Sequence, residues 1–126
     1  MKRSAERRES VRLRPKEATF VALRPEFVKL GKLLDINRSG LCFQYISKGD
    51  SVDVSLSHHI DMFVGNNGYY LPNVPCKMIY DEKIKRNMTV VMGLEYRRCG
   101  LKFDPLSRQQ MVQLELYLKE HTEKTE

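Results

Sequence analysis

No stretch of this 126-residue chain approaches the roughly 18 consecutive apolar residues of a membrane-spanning helix, and no apolar run of the secretory-signal kind follows its basic N-terminus. The chain is therefore expected in the cytoplasm. Cysteine is scarce: Cys42, Cys76 and Cys99 are an odd number with no C-x-x-C pair. That argues against a disulfide framework and against a zinc knuckle, and predicts three free thiols packed as small buried or half-buried residues. His58, His59 and His121 have no partners at a recognised metal-ligand spacing and are expected at the surface. No Ser–His–acid set, glycine-rich phosphate loop or pair of catalytic carboxylates can be placed. The chain is read as a non-enzyme that needs no cofactor.

Positive charge is what the sequence does supply. Against 16 Asp+Glu stand 22 Lys+Arg, a net charge of +6, which favours anionic partners such as nucleotides, nucleic acid or phosphorylated surfaces. Five arginines fall between Arg3 and Arg14, before any apolar periodicity begins. The length fits one domain with a real core. Its expected parts are a flexible basic arm over 1–15, a barrel over 16–104, a helical segment over 105–121 and a frayed tail over 122–126.

From residue 16 onward, short runs rich in branched and aromatic residues alternate with Gly, Asn, Asp and Lys turns. Val52, Val54 and Leu56 share one face by period-two alternation, as do Val74, Cys76, Met78 and Tyr80, and Val90, Met92, Leu94 and Tyr96. Each set is expected to point into the core of an antiparallel barrel or sandwich. "GNNG" at 65–68 predicts a hairpin turn and "EKIKRN" at 82–87 another connection. After Pro105 the period changes. Ser107 with Gln110 makes a capping box, Leu106 with Met111 a hydrophobic staple, and a helix is predicted over about 107–120. Its packing stripe is Met111, Leu114, Tyr117 and Leu118, widened by Val112 and Leu116.

Two short motifs remain. Arg8 and Arg12 form R-x-x-x-R, a pattern that 11 arginines in 126 residues produce about once by chance, with Arg3 and Arg7 a second example. "DINRSG" at 35–40 is a turn between two strand-like runs, with Asp35 and Asn37 as turn formers and Gly40 starting the next strand. The order and spacing of these motifs resemble a PilZ domain, as do "GLCF", "CGLKFDPLS", the many short strands and the closing amphipathic helix. That family is the bacterial receptor module for cyclic di-GMP. It carries R-x-x-x-R in an N-terminal arm and [D/N]-x-S-x-x-G at a strand-to-strand turn. Asn37 stands where the family has Ser.

The resemblance implies a small, mainly β fold: an antiparallel, split-barrel-like PilZ barrel with a C-terminal α-helix packed against it. It implies cyclic di-GMP as ligand, bound by Arg7, Arg8, Arg12, Asp35, Asn37 and Gly40, with Arg14, Arg38 and Ser39 in support. Arginine suits both halves of such a ligand, because its planar fork grips phosphate or the O6/N7 edge of guanine. The Asp35 carboxylate only accepts, which matches guanine N1–H and N2. Arg7, just before the motif, favours an intercalated ligand dimer. The implied output is control of a protein partner in trans, in motility, adhesion or exopolysaccharide synthesis. Two other readings are open from the residues: a PilZ-like interaction module that binds nucleotide weakly or not at all, and a basic nucleic-acid-binding barrel, which leaves the motif order unexplained.

Overall fold

The computed structural model describes residues 11–24, 29–47, 57–65, 68–84 and 94–124. Arg7 and Arg8 lie outside the described residues, as do Val52, Val54, Leu56, Val90, Met92, Asn66 and Asn67. Among the described residues, eight strands and one helix are formed in the order β1 (Leu13–Pro15), β2 (Thr19–Arg24), β3 (Lys29–Ile36), β4 (Gly40–Ser47), β5 (Ser57–Val64), β6 (Tyr70–Lys83), β7 (Glu95–Phe103), α1 (Arg108–Glu120) and β8 (Thr122–Lys124). All pairings are antiparallel. Strands β2, β5, β6, β7, β4 and β3 follow one another around the sheet, and β3 pairs back onto β2 to close a six-stranded barrel. The end of β3 then pairs Ile36 with Leu13 of β1, and β1 pairs with β8.

Alternation builds the interior. Thr19, Val21 and Leu23 of β2 are buried, as are His58, Ile60, Met62 and Val64 of β5. His58 is thus a core-side residue and not the surface histidine expected, because it falls on the inward phase of β5. The three cysteines are buried free thiols. The β5–β6 hairpin is closed by Val64 N–H donating to Tyr69 O at 3.2 Å, with Gly68 at φ 72°. Strand β6 runs on through Lys83, so the start of the expected 82–87 connection is strand.

Two bulges in β6 break the simple pattern. Ile60 faces Val74 and Met62 faces Leu71, so Pro72 and Asn73 together oppose Asp61, with Asn73 at φ 56°. Farther along, Met78 faces Leu101 while Tyr80 faces Gly100, leaving Ile79 as the extra residue. That insertion reverses the phase. Val74, Cys76 and Met78 point inward as expected, but Tyr80 is half-buried on the outside and Asp81 goes in, where it accepts from Tyr45 Oη and pairs with Arg97 at 3.0 Å.

The capping box forms: Ser107 Oγ accepts from Gln110 N–H at 3.1 Å and Gln110 Oε1 from Ser107 N–H at 3.0 Å. Gln110 Nε2 also donates to the Asn73 carbonyl at 2.9 Å, which ties the first turn of α1 to the β6 bulge. The packing stripe is narrower than predicted. Leu114 and Tyr117 are buried and Leu106 and Leu118 pack against the core, but Met111, Val112 and Leu116 are exposed. Leu106 and Met111 therefore do not share one buried face, because α1 touches the barrel along a single line and is held at its ends by polar contacts. At the C-terminal end Tyr117 Oη and Thr19 Oγ1 are 2.6 Å apart, and His121 stacks on Tyr117 with Nδ1 3.1 Å from Glu17. Thr122–Lys124 forms a strand on β1 where a frayed tail was expected, and Leu13–Pro15 is correspondingly a paired strand and not flexible arm.

Candidate functional site

The turn joining β3 to β4 is shaped by Asn37. Its backbone N–H donates to Gly40 O at 2.9 Å, and its side-chain Oδ1 accepts from Ser39 N–H at 2.8 Å and Gly40 N–H at 3.1 Å. Asn37 is buried, so those bonds carry their full local worth. The amide oxygen does what a serine hydroxyl does in a comparable turn, which explains how Asn occupies this position. Gly40 is required for a different reason than strand-starting backbone freedom. A Cβ there would overlap the Leu101 carbonyl oxygen of β7. Ser39 O accepts from Phe103 N–H at 2.7 Å, locking the turn to the same strand.

The short arm strand brings Arg12 to this turn. Arg12 Nε lies 2.8 Å from Asp35 Oδ1, both side chains being about one-third exposed (37% and 30%). Of the six ligand residues expected from sequence, Arg12 and Asp35 are in contact, Asn37 and Gly40 build the adjacent turn, and Arg7 and Arg8 lie outside the described residues. The supporting arginines face other carboxylates. Arg38 makes a two-point contact with Glu115 of α1 at 2.7 and 3.2 Å, and Arg14 is 3.9 Å from Glu123. Between arm, turn and helix lies an open cleft of about 790 Å³ lined by Val11, Leu13, Asn37, Arg38, Glu115 and Lys119, among others. Arg12 and Asp35 lie off this cleft, on the barrel side of the arm.

On that side the strand registers set four residues in one row: Asp35 opposite Cys42, Cys42 opposite Gly100, and Gly100 opposite Tyr80. The Tyr80 ring lies across Gly100, where a Cβ would overlap it, and Tyr80 Oη donates to Cys42 Sγ at 3.3 Å. Burial pushes the Cys42 thiol up, Asp35 adds to that, and Arg98 and Arg12 oppose it. Burial and the Cys42 contact push Tyr80 up to about 12. Both are therefore neutral near pH 7, in the field of two arginines. Sequence periodicity assigned Tyr80 to the core and missed its place here. The available signal was Gly100, since glycine inside a strand marks a bulge or a close approach.

Among the described residues no group of three or more His, Cys, Asp and Glu side chains is placed to hold a metal ion, and no helix is long and apolar enough to cross a membrane.

No protein-family model matches the chain, and no curated protein matches it in sequence. Among solved structures it is similar to K. pneumonia MrkH in its apo state, with a TM-score of 0.57 and 14% identity over 86% of this chain. The likeness covers 46% of the MrkH chain, so this chain spans less than half of that protein's length. At that identity the fold is what the two share.

Proposed function

We propose that this chain is a PilZ-type receptor for cyclic di-GMP, acting on a protein partner and not as a catalyst. The observation that carries the reading is the Arg12–Asp35 contact, which places the second arginine of R-x-x-x-R against the first residue of the D-x-N-x-x-G turn. MrkH, which shares the barrel, is described in an apo state, as a ligand-binding protein would be. Arg8 and Arg12 grip phosphate or the guanine O6/N7 edge, and Asp35 accepts from guanine N1–H and N2. Asn37 and Gly40 act mainly by shaping the turn. Arg7 adds the charge that an intercalated ligand dimer with four phosphates requires. Ligand-dependent ordering of the arm does not extend to Leu13–Pro15, which is already paired with β8.

Calorimetric titration tests this reading, with cyclic di-GMP, cyclic di-AMP and a short oligonucleotide as titrants for the wild type and for Arg8→Ala, Arg12→Ala. The expected result is binding of cyclic di-GMP alone, at one or two ligands per chain, lost in the variant. Wild-type protein that takes up no cyclic di-GMP at tens of micromolar overturns it.

A further inference from the structure

Three large apolar side chains of α1 stay outside the core: Met111 is 54%, Val112 60% and Leu116 41% exposed. Val112 and Leu116 are four residues apart and share one row along the helix, which Arg108 continues at the first helical position and Glu120 at the last. All four are exposed. The outward row is therefore apolar in the middle, positive at its N-terminal end and negative at its C-terminal end. Both end charges stand against the dipole of their own helix, whose N-terminus disfavours a cation and whose C-terminus disfavours an anion. The first turn holds no acidic residue, and among the described residues neither Arg108 nor Glu120 makes an ion pair.

From this pattern we infer that the outward face of α1 is the contact surface of a symmetric homodimer, in which two copies of the chain pack α1 against α1 in antiparallel. With the two-fold axis at the level of Leu114, Val112 of each copy faces Leu116 of the other, and Arg108 of each faces Glu120 of the other. A two-fold contact requires a patch that complements itself, and this row does so when turned end for end. Rows of residues four apart are the ridges by which helices pack, and burying Val112 and Leu116 between two helices removes them from water. Each end charge gains an opposite charge and the favourable end of the other helix's dipole. A uniformly acidic or uniformly basic partner would meet a like charge at one end of the row, which favours a second copy as the occupant. One helix from each side makes a small contact, so the dimer is weak and depends on concentration. None of the four residues is a candidate ligand residue, and the inference stands apart from the nucleotide reading.

Sedimentation velocity of the full chain without nucleotide, from about 10 μM to about 1 mM, tests the dimer. The wild type should pass from monomer to dimer across that range. Arg108→Glu and Glu120→Arg should each weaken association about 2- to 30-fold, because each substitution removes two surface ion pairs per dimer. Each also relieves the helix dipole, so the urea midpoint of the dilute protein should hold or rise while the dimer weakens. Combined in one chain, the two substitutions restore opposite charges at both ends and should return association to near the wild-type strength. Leu116→Glu should be monomeric throughout, with circular dichroism confirming its fold, and the charge exchange stands as a test even if this variant does not fold. Wild-type protein that remains monomeric to about 1 mM would overturn the inference. A combined variant no stronger than the single ones would overturn it too, as would undiminished dimerisation by folded Leu116→Glu, which would place the contact on another face.

Discussion

Arg12 and Asp35 meet at 2.8 Å, Nε to Oδ1, joining the arm to the edge of the barrel. Both are about one-third exposed, so the pair contributes little to stability, at most about 1 kcal/mol and less in salt. Its importance is geometric. Arg12→Ala should lower the urea midpoint only marginally while weakening cyclic di-GMP binding about 5- to 150-fold. Asp35→Asn should bind with reduced preference for guanine over adenine ligands, because the amide presents a donor to the guanine edge as well as an acceptor. A large loss of stability in Arg12→Ala with unchanged affinity would reverse the assignment, making the contact structural.

Asn37 tests whether an amide in place of the serine of the motif it resembles costs anything. Its Oδ1 holds two backbone N–H groups in a buried turn, so Asn37→Ala should cost about 1–3 kcal/mol by urea denaturation. Asn37→Ser keeps an acceptor at the same place and should recover most of that loss. If alanine and serine are equally destabilising, the hydroxyl cannot replace the amide oxygen, and the turn of this chain differs from the family's in more than one atom.

The barrel was legible because its strands alternate cleanly over β2, β5 and Val74–Met78 of β6, and α1 because Ser107 and Gln110 form a capping box. What escaped periodicity has identifiable causes. One extra residue, Ile79, turns Tyr80 from the core to the surface, and no pattern of period two can announce its own interruption. Met111 fits the helical stripe by spacing, yet α1 lies on the barrel along a line too narrow to cover it. The terminal strand β8 is three residues long and gains its partner only from β1, far away in sequence. In the candidate site, motif spacing singled out Arg12, Asp35, Asn37 and Gly40, and the structure places Arg12 against Asp35 and builds the adjacent turn from Asn37 and Gly40. The reason Gly40 must be glycine, its contact with β7, was visible only in three dimensions.

Two glycines separate steric overlap from conformational strain. At Gly40 a Cβ would overlap the Leu101 backbone carbonyl, which cannot rotate away, so Gly40→Ala should destabilise by about 1–3 kcal/mol or more and disturb the Asp35 edge. At Gly68 a Cβ meets nothing within 4 Å, but φ is 72°, so Gly68→Ala should cost about 1–2 kcal/mol through backbone strain alone. Ligand affinity distinguishes them as well: it should fall in the first and hold in the second. Equal behaviour of the two variants in both measurements would contradict this account of Gly40.

Stability should fall as the pH rises above about 8.5. Burial pushes the Cys76 thiol up to about 12, with the Asp104 charge adding to it, and pushes the Cys42 and Cys99 thiols up as well. In the unfolded chain a thiol loses its proton near pH 8.5. Between that pH and the folded value the unfolded state binds fewer protons than the folded one, so rising pH favours unfolding. The stabilisation is complete below about pH 8.5 and is lost progressively as pH climbs toward 12, at on the order of 1 kcal/mol per pH unit for each thiol fully retained. Tyr80 and Tyr117, each pushed up to about 12 chiefly by burial, join from about pH 10. Urea midpoints taken at pH 8, 9.5 and 10.5 should therefore decline steadily. In Cys76→Ala the curve should start lower, from the lost packing, and decline less steeply over the same interval. A midpoint that stays level to pH 10.5 in the wild type would mean that these thiols ionise as readily inside the barrel as in water.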